Sequence, residues 1–179
     1  MKIKIRKSVQ DDVYGIRNVQ KVTWLKTYPS EKEGITKGDI EQKFEVDKTP
    51  AGKNKIEEKR NRYKDRNTNA WVVTDEKKVI GFCTAVKEGK NNRIASIYIL
   101  PIYQGKGLGK QLIEKALTWL GNSKDILLNV ASYNKQAIGF YKKFGFIETG
   151  RVGAFDSAAK LPSGKFIPEI ELIKDCSKK

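Results

Sequence analysis

The segment best suited to chemistry is a short run that alternates glycine with basic and apolar residues. Its residues are Gln104, Gly105, Lys106, Gly107, Leu108, Gly109 and Lys110. Glycine lacks a Cβ, so the backbone amides of such a run can approach a ligand closely. A helix start leaves N–H groups without partners and carries partial positive charge, so lysines there are unfavourable unless an anion binds. The run therefore predicts a phosphate-binding loop.

Two common nucleotide-binding loops do not fit this run. A Walker A loop needs glycine five positions before Gly109 and Ser or Thr after Lys110, but Gln104 and Gln111 stand there. A dinucleotide fingerprint that starts at Gly105 needs a glycine where Lys110 stands, and the strands before it predict a meander rather than a βαβ unit. The phosphate-binding loop is therefore of another kind.

The chain contains no histidine, which excludes histidine-based catalytic triads and the HExxH zinc signature. Any acid or base must then be Tyr, Glu, Asp, Lys, Cys or water. Two cysteines, Cys83 and Cys176, are too few for a structural zinc site or a disulfide framework, so we expect no metal and a cytoplasmic location. Neither a secretory signal nor a membrane span of about 18 apolar residues is predicted, so no membrane partner is expected.

Length and charge set the frame for this chemistry. The 179 residues predict a single domain over 1–174, followed by a polar tail at 175–179. The formal net charge of +15 attracts polyanions, although the lysines are scattered along the chain as on an ordinary solvated surface.

The elements that flank the glycine run follow from hydrophobic periodicity. A strand over 93–100 ends before Pro101, and apolar residues from Leu108 to Leu120 recur at helical spacing. Near the N-terminus, a strand over 2–7 leads to a helix that runs to about Tyr28, opened by a capping box of Ser8 and Asp11. Its predicted inward stripe is Val13, Ile16, Val19 and Thr23.

The other segments complete one mixed α/β domain. Residues 31–69 predict two weak helical stretches with a break at 49–52, and residues 70–74 and 79–86 predict an antiparallel hairpin. The remaining predicted elements are a strand over 126–130, a helix over 134–144 and two strands over 146–152 and 166–174. Because ligands bind at the carboxyl ends of strands in open sheets, we expect chemistry near Leu100 and Val130.

Two motifs resemble those of the GNAT superfamily, the acetyl-CoA-dependent N-acetyltransferases. The glycine run, preceded by the strand Ile97–Pro101, is similar to the Q/R-x-x-G-x-G/A pyrophosphate loop of that family. The segment Asn134–Phe146 is similar to its N-x-x-A-x-x-F-Y-x-K-x-G-F segment. The resemblance implies an α+β fold with a twisted, mostly antiparallel sheet of six or seven strands, flanked by helices and splayed between the fourth and fifth strands.

The resemblance also implies acetyl-CoA as cosubstrate and assigns residues to it. In family members the loop amides hold the pyrophosphate, and the backbone at the splayed strand holds the pantetheine arm. The positions that match are Ile97, Tyr98, Ile99, Gln104, Gly105, Lys106, Gly107, Leu108, Gly109, Lys110, Asn134 and Lys143. We therefore expect cofactor contacts at these residues.

Tyr141 is the candidate catalytic residue. Helical periodicity alone predicts that its ring packs in the core. The resemblance instead implies that Tyr141 is the general acid for the departing CoA thiolate after direct attack by an amine. A phenol with a pKa of about 10 suits a thiolate whose own pKa is about 8.5 to 10.

The general base and the acceptor are less well defined. Many family members have a glutamate early in the central strand, but Arg93 stands there. The alternatives are Tyr98, Glu148, Asp156 and a bound water. Trp24 and Tyr28 resemble acceptor-pocket residues of polyamine-type members, with Glu31 and Glu33 nearby to receive a cation, although the net charge of +15 opposes the gathering of polycations.

The sequence thus predicts an N-acetyltransferase that acts on a small amine such as a polyamine. A protein or peptide amine is the alternative acceptor, and a homodimer is compatible with either. The alternative from another class is a non-catalytic basic RNA-binding module, which no RNP-like aromatic motif supports.

Overall fold

A computed structural model describes residues 2–62, 65–155 and 159–176, with the side chains of residues 59 and 62 excepted. The described residues form one seven-stranded sheet with helices on both faces. The strands are β1 (Ile3–Lys7), β2 (Thr68–Asp75), β3 (Lys78–Val86), β4 (Asn92–Ile99), β5 (Ile126–Ala131), β6 (Ile147–Gly153) and β7 (Glu169–Lys174). The helices are α1 (Val13–Thr27), α2 (Lys37–Glu45), α3 (Pro50–Arg62), α4 (Leu108–Leu120) and α5 (Lys135–Lys142).

The strand order across the sheet is β1-β2-β3-β4-β5-β7-β6. All neighbours are antiparallel except β4 and β5, which are parallel. This parallel pair is very short, because only Asn92 pairs with Ile126 and Arg93 with Leu127. Beyond these two pairs the strands separate, which confirms the predicted fold with its splay between the fourth and fifth strands. We call this opening the β4–β5 gap.

The two faces of the sheet carry different helices. On one face, Trp71 of β2 packs edge-on against Trp119 of α4, with ring centroids 6.1 Å apart. Cys83 lies directly opposite Trp71 in the sheet and therefore shares that face. Phe82 points the other way, toward α1, and packs against Tyr98 with ring centroids 5.5 Å apart. Apolar side chains thus form a core layer on each face of the sheet, and the β4–β5 gap connects the two faces.

Helix α4 has the bounds that its periodicity predicts. Its apolar residues Leu108, Leu112, Ile113, Ala116 and Leu120 are all buried. The helix ends where Gly121 adopts a positive φ of 72°, a conformation that glycine takes at little cost. Burial of this stripe places the glycine run at one end of the gap.

The first helix begins later than the predicted capping box at Ser8 and Asp11, and that prediction is wrong. Asp12 accepts a hydrogen bond from the Val9 N–H at 2.8 Å, and a short 3₁₀ turn precedes α1. Both carboxylate oxygens of Asp12 also bind Arg6 of β1, at 2.6 and 2.8 Å. This bidentate ion pair fixes the helix entry one residue later than local sequence indicates. The predicted stripe of α1 is confirmed, since all four of its residues are buried.

The last strand, β7, is shorter than predicted. Phe166 forms an isolated bridge with Lys160, and the Ile167 N–H donates to the Ala159 carbonyl at 3.0 Å. These residues therefore pair within their own loop, and Pro168, which has no N–H, separates them from the sheet. The strand begins only at Glu169.

Candidate active site

The glycine run forms an exposed loop that leads into α4. Gly105 and Gly107 both have φ of +75°, where a side chain would be strained, and no atom lies within 4 Å of the Cβ that either would carry. Among the described residues, the backbone N–H groups of residues 105–110 have no hydrogen-bond partner. The next one, that of Gln111, donates to the Gly107 carbonyl at 3.2 Å. The N–H groups of residues 105–110 therefore provide donors for an anion.

Side chains around this loop add positive charge and fix its base. Gln104 donates through Nε2 to the Ile99 carbonyl at 3.0 Å, which anchors the loop to the end of β4. Lys106 lies over the Tyr103 ring, with Nζ 5.2 Å from the centroid, and Lys110 Nζ lies 3.9 Å from a Glu114 oxygen. Both lysines are exposed. The loop thus combines backbone donors with two exposed cations, the combination that the sequence predicts for a phosphate site.

A bulge in β4 exposes backbone groups to the β4–β5 gap. Thr84 pairs with Ser96 and Ala85 with Ile94, so Ala95 is left without a partner on β3. The Leu100 N–H donates to Ile80 at 2.9 Å, and the alternation of an antiparallel ladder then directs the Tyr98 backbone toward β3. The backbone N–H and carbonyl of Ile97 therefore face the gap, whereas Tyr98 contributes its side chain to the gap.

Tyr141 is buried, 7% exposed, and its ring packs edge-on against Phe140 and Phe146 at 5.4 and 5.9 Å. Burial, with smaller contributions from Tyr98 and Cys83, raises its pKa well above the ordinary value of 10. Tyr98 influences Tyr141 although the two side chains approach from opposite faces of the sheet. The phenol is therefore fully protonated at neutral pH and lies beside the β4–β5 gap.

A tyrosine pair lies near Tyr141. The Tyr28 and Tyr98 hydroxyl oxygens are 3.0 Å apart, so one hydroxyl donates a hydrogen bond to the other. Burial first, then Tyr98, raises the pKa of Tyr28 well above its ordinary value. The Tyr133 hydroxyl donates to the Tyr28 carbonyl at 2.8 Å, and burial raises the pKa of Tyr133 to about 12. The phenols of Tyr28 and Tyr133 are therefore neutral hydrogen-bonding groups at neutral pH.

An aromatic cavity of about 1060 Å³ opens on the α1 face of the gap. Residues that line it include Trp24, Tyr28, Tyr98, Ala131, Leu161 and Glu169. Trp24 is 4% exposed, and its Nε1 has no hydrogen-bond partner among the described residues. An indole N–H buried without a partner is costly, and a bound ligand or water would satisfy it. The structure brings Trp24 and Tyr28 together in one cavity, where Tyr98 joins them, and their contact with the acceptor stays a prediction.

The ends of α5 carry the other predicted cofactor residues. Asn134 caps the helix, because its Oδ1 accepts from the Ala137 N–H at 3.1 Å. Lys143 is exposed at the other end of the helix. Asn134 therefore has a structural role in the fold, and any cofactor contact would use its Nδ2 group.

The proposed bases separate in space. Tyr98 lines the aromatic cavity and Arg93 lies on its wall, where it binds Glu88 at 2.8 Å. Glu148 lies on the edge strand β6, ion-paired with Lys142 at 2.7 Å, and does not line the cavity. Asp156 lies outside the described residues. Glu33 lies near enough to Tyr133 to contribute to its raised pKa.

Sequence reasoning missed Glu169, the first residue of β7. It lines the aromatic cavity with Trp24 and the tyrosine pair, although no motif surrounds it. The one local signal is its place just after Pro168, where a strand begins. In the part of the chain that the structure describes, no cluster of three or more metal-ligand side chains occurs. In the same residues, no helix has the length and apolar character that crossing a bilayer requires.

Comparison with known proteins gives a consistent picture. A family model described as the acetyltransferase (GNAT) family matches residues 35–146. The chain is 39% identical over 93 residues to the peptidyl-lysine N-acetyltransferase YjaB of Salmonella typhimurium, which spans 51% of the chain and 59% of that protein. It is 34% identical over 94 residues to the spermidine N(1)-acetyltransferase of Vibrio cholerae, which spans 49% and 54%. The matches thus cover a little over half the length of these curated relatives.

Solved structures resemble nearly the whole chain. The PaiA N-acetyltransferase of Thermoplasma acidophilum, in complex with coenzyme A, has a TM-score of 0.70 at 20% identity and covers 98% of this chain and 99% of its own. An acetyltransferase of the GNAT family from Streptococcus pneumoniae has a TM-score of 0.66 at 19% identity, covering 97% and 99%. At these identities the likeness shows the fold.

Proposed function

The chain belongs to the GNAT family of acetyltransferases, and on that premise we propose that it transfers the acetyl group of acetyl-CoA to a primary amine. One observation carries the proposal. The donor-rich loop and the aromatic cavity reach the β4–β5 gap from opposite faces of the sheet, and Tyr141 lies beside that gap. Two substrates bound in this way would meet at one point, which supplies the proximity that group transfer needs.

The cosubstrate side fits acetyl-CoA by its donor set. Backbone N–H groups of residues 105–110, with Lys106 and Lys110, would hold the pyrophosphate. The Ile97 backbone, which faces the gap, would hold the pantetheine arm and direct the thioester toward the cavity. Asn134 and Lys143 would contact the same ligand from the ends of α5. Acetyl-CoA supplies an acetyl group on a thiolate leaving group.

Tyr141 is the general acid in this proposal. Its hydroxyl is protonated at neutral pH because burial raises its pKa. The same desolvation raises the pKa of a thiol whose thiolate forms beside it, so both pKa values move in the same direction. The phenol therefore donates its proton as the sulfur gains charge.

The acceptor that we propose is a small primary amine such as a polyamine. The aromatic walls of Trp24 and Tyr28 suit an apolar amine stem and a cation near its end. The relatives whose names state an acceptor act on spermidine in one case and on peptidyl-lysine in another. A lysine side chain is the alternative, since it presents the same amine on the same stem. A cytoplasmic location accords with the unpaired thiols of Cys83 and Cys176.

Calorimetric titration with acetyl-CoA at physiological salt tests the proposal. We expect saturable one-to-one binding of acetyl-CoA well above that of tripolyphosphate, which controls for attraction to the charge of +15. Spermidine, other small amines and a lysine peptide are then tested as acceptors. The release of the CoA thiol measures acetyl transfer to each of them. If acetyl-CoA and tripolyphosphate bind equally well and salt abolishes the binding of both, the result would instead favour a basic module that binds polyanions.

A further inference from the structure

The aromatic cavity contains a carboxylate in a position that no motif marks. Among its described lining residues, three are acidic: Asp47, Glu58 and Glu169. Asp47 is held by Arg17, whose Nη2 lies 2.9 Å from its Oδ1. Glu58 is exposed on α3. Glu169 alone of the three is on the sheet, at the floor of the cavity and one strand away from the gap, because β5 lies between them.

Backbone contacts fix Glu169 at this floor. It pairs with Ala131 of β5 on one side and with Gly153 of β6 on the other. The Ser132 N–H donates to the Pro168 carbonyl at 2.9 Å, which holds the start of β7 against the end of β5. The Glu169 Oε2 accepts from the Phe155 N–H at 3.2 Å, which orients the carboxylate. Its negative charge also contributes to the raised pKa of Tyr28.

We propose that Glu169 receives the ammonium group of the acceptor and takes its first proton, directly or through one water. This inference rests on the proposed acetyl transfer. An aliphatic ammonium has a pKa of about 10.4, so at neutral pH it must lose a proton before it can attack. The residue at the usual family position, Arg93, is a cation and cannot accept that proton. Burial raises the pKa of Tyr28 well above its ordinary value, so Tyr28 stays protonated at neutral pH and is a poor base.

The proposed step balances in protons and bonds. The ammonium loses its first proton to Glu169, and the neutral nitrogen forms a bond to the acetyl carbon as the carbon–sulfur bond breaks. The thiolate takes the proton of the Tyr141 hydroxyl. The nitrogen then loses its second proton, which restores the Tyr141 phenol, and Glu169 releases its proton to solvent. One proton leaves per acetyl group transferred.

Other charged and titratable groups around the cavity define what must be held constant in a pH experiment. Those that line it with Glu169 are Arg17, Tyr28, Lys43, Asp47, Lys55, Glu58, Arg93, Tyr98 and Lys160. Tyr141 and Tyr133 also lie near the tyrosine pair, each with a raised pKa. Tyr28, Tyr133 and Tyr141 therefore stay protonated between pH 6 and 9. The other groups are the same in every variant tested, so comparing variants at each pH holds them constant.

The test compares Glu169→Gln with Glu171→Gln, a matched control on the same strand. Glu171 is buried and binds Arg151 at 3.2 Å, but it does not line the cavity. For Glu169→Gln we expect kcat/KM for the amine to fall at least tenfold at pH 7, with acetyl-CoA affinity unchanged by calorimetry. The loss should shrink as the pH rises toward 10, since free amine then exists in solution. Glu169→Asp should restore part of the activity.

Each outcome decides the proposal. A pH-dependent loss confined to Glu169→Gln supports it. A loss that is constant with pH, an equal pH-dependent loss in Glu171→Gln, or unchanged activity in Glu169→Gln would overturn it while acetyl transfer by the wild type stands. If the wild type acetylates no amine in the panel, the proposed function fails, and the role of Glu169 fails with it.

Discussion

The two sides of the β4–β5 gap are built in opposite ways. On the α4 face, the loop that we propose for phosphate binding is one contiguous segment, residues 104–110, whose donors are backbone N–H groups. On the α1 face, the aromatic cavity takes Trp24 from α1, Tyr98 from β4 and Glu169 from β7. The first side depends on local backbone conformation, and the second on how distant strands and helices pack.

This difference explains why a sequence motif predicts the glycine-rich loop, whereas no motif predicts the full set of residues in the aromatic cavity. A pyrophosphate has the same shape for every enzyme that uses the cosubstrate, so a short glycine-rich segment can bind it in any context. An acceptor pocket is shaped by side chains from distant parts of the chain that meet only in the folded protein. No single local sequence motif marks all of them. We therefore expect variants on the two sides to separate cleanly in their effects.

Tyr141→Phe gives the largest expected effect, because Tyr141 lies where the two sides meet. Turnover should fall between tenfold and a hundredfold, since the variant cannot donate a proton to the thiolate. Affinity for acetyl-CoA should be nearly unchanged, because the ring and its packing remain. Steady-state kinetics and calorimetry measure the two quantities.

Tyr14→Phe is the matched control for this prediction, because it removes the hydroxyl of a tyrosine that is 61% exposed on α1. The raised pKa of Tyr141 also predicts no decline in wild-type turnover from this group below pH 10. Unchanged turnover in Tyr141→Phe would contradict its role as the acid.

Gly107→Ala tests the phosphate-binding side alone. The new Cβ meets no protein atom within 4 Å but stands at a φ of +75° beside the predicted anion. We expect acetyl-CoA affinity to fall about tenfold by calorimetry, and the backbone strain of about 1 to 2 kcal/mol to lower the melting temperature by a few degrees. The acceptor KM at saturating acetyl-CoA should change little.

Gly150→Ala provides the control, with a φ of +84° and open space around it on the edge strand β6. It carries the same kind of strain far from the loop, so only its melting temperature should fall. Equal loss of acetyl-CoA affinity in both variants would show that strain, not the loop, controls binding.

Asp39→Asn tests the outer wall of the acceptor side and gives the smallest effect. Hydrogen bonds from Ser163, Thr36 and Lys165 depress the pKa of Asp39, and the last of these lies at 2.9 Å. The variant weakens the tie between α2 and the loop around residues 160–165, so we expect the melting temperature to fall by roughly 2 to 6 °C. The acceptor KM should rise modestly.

The pH dependence of this difference has a definite sign. A depressed pKa means that the stability from Asp39 is present above its unfolded value, near 3.8, and is lost as pH falls through the folded value. The gap in melting temperature between wild type and Asp39→Asn should therefore persist from pH 7 to about 4 and narrow only below that. A gap that closes by pH 6 would contradict the assignment.

Most secondary structure followed from periodicity, with errors where side chains act at a distance. Helix α4 and the hairpin of β2 and β3 matched because their apolar patterns are local and strong. The start of α1 was misplaced because Arg6, on another element, binds Asp12. The start of β7 was placed too early because Phe166 and Ile167 pair within their own loop.

For the candidate site, the sequence proposed the glycine run, Tyr141 and the pair of Trp24 and Tyr28, and the last two do line one cavity. It did not locate Glu169, and it offered Glu148, which the structure places on the edge strand away from the cavity. The reason is the strand order: β7 inserts between β5 and β6. That insertion places Glu169 next to β5, the strand that borders the gap, and leaves Glu148 on the edge strand β6.

By itself, the sequence determined what is contiguous: a glycine-rich loop at a helix start, an amphipathic α4 and the Tyr141 segment. Local conformation and hydrophobic periodicity suffice for these, because their interactions lie within a few residues. The tertiary structure alone decided which acidic group enters the cavity and how Tyr28 meets Tyr98. These depend on the register and order of strands, and burial of the whole core, rather than any local preference, fixes both.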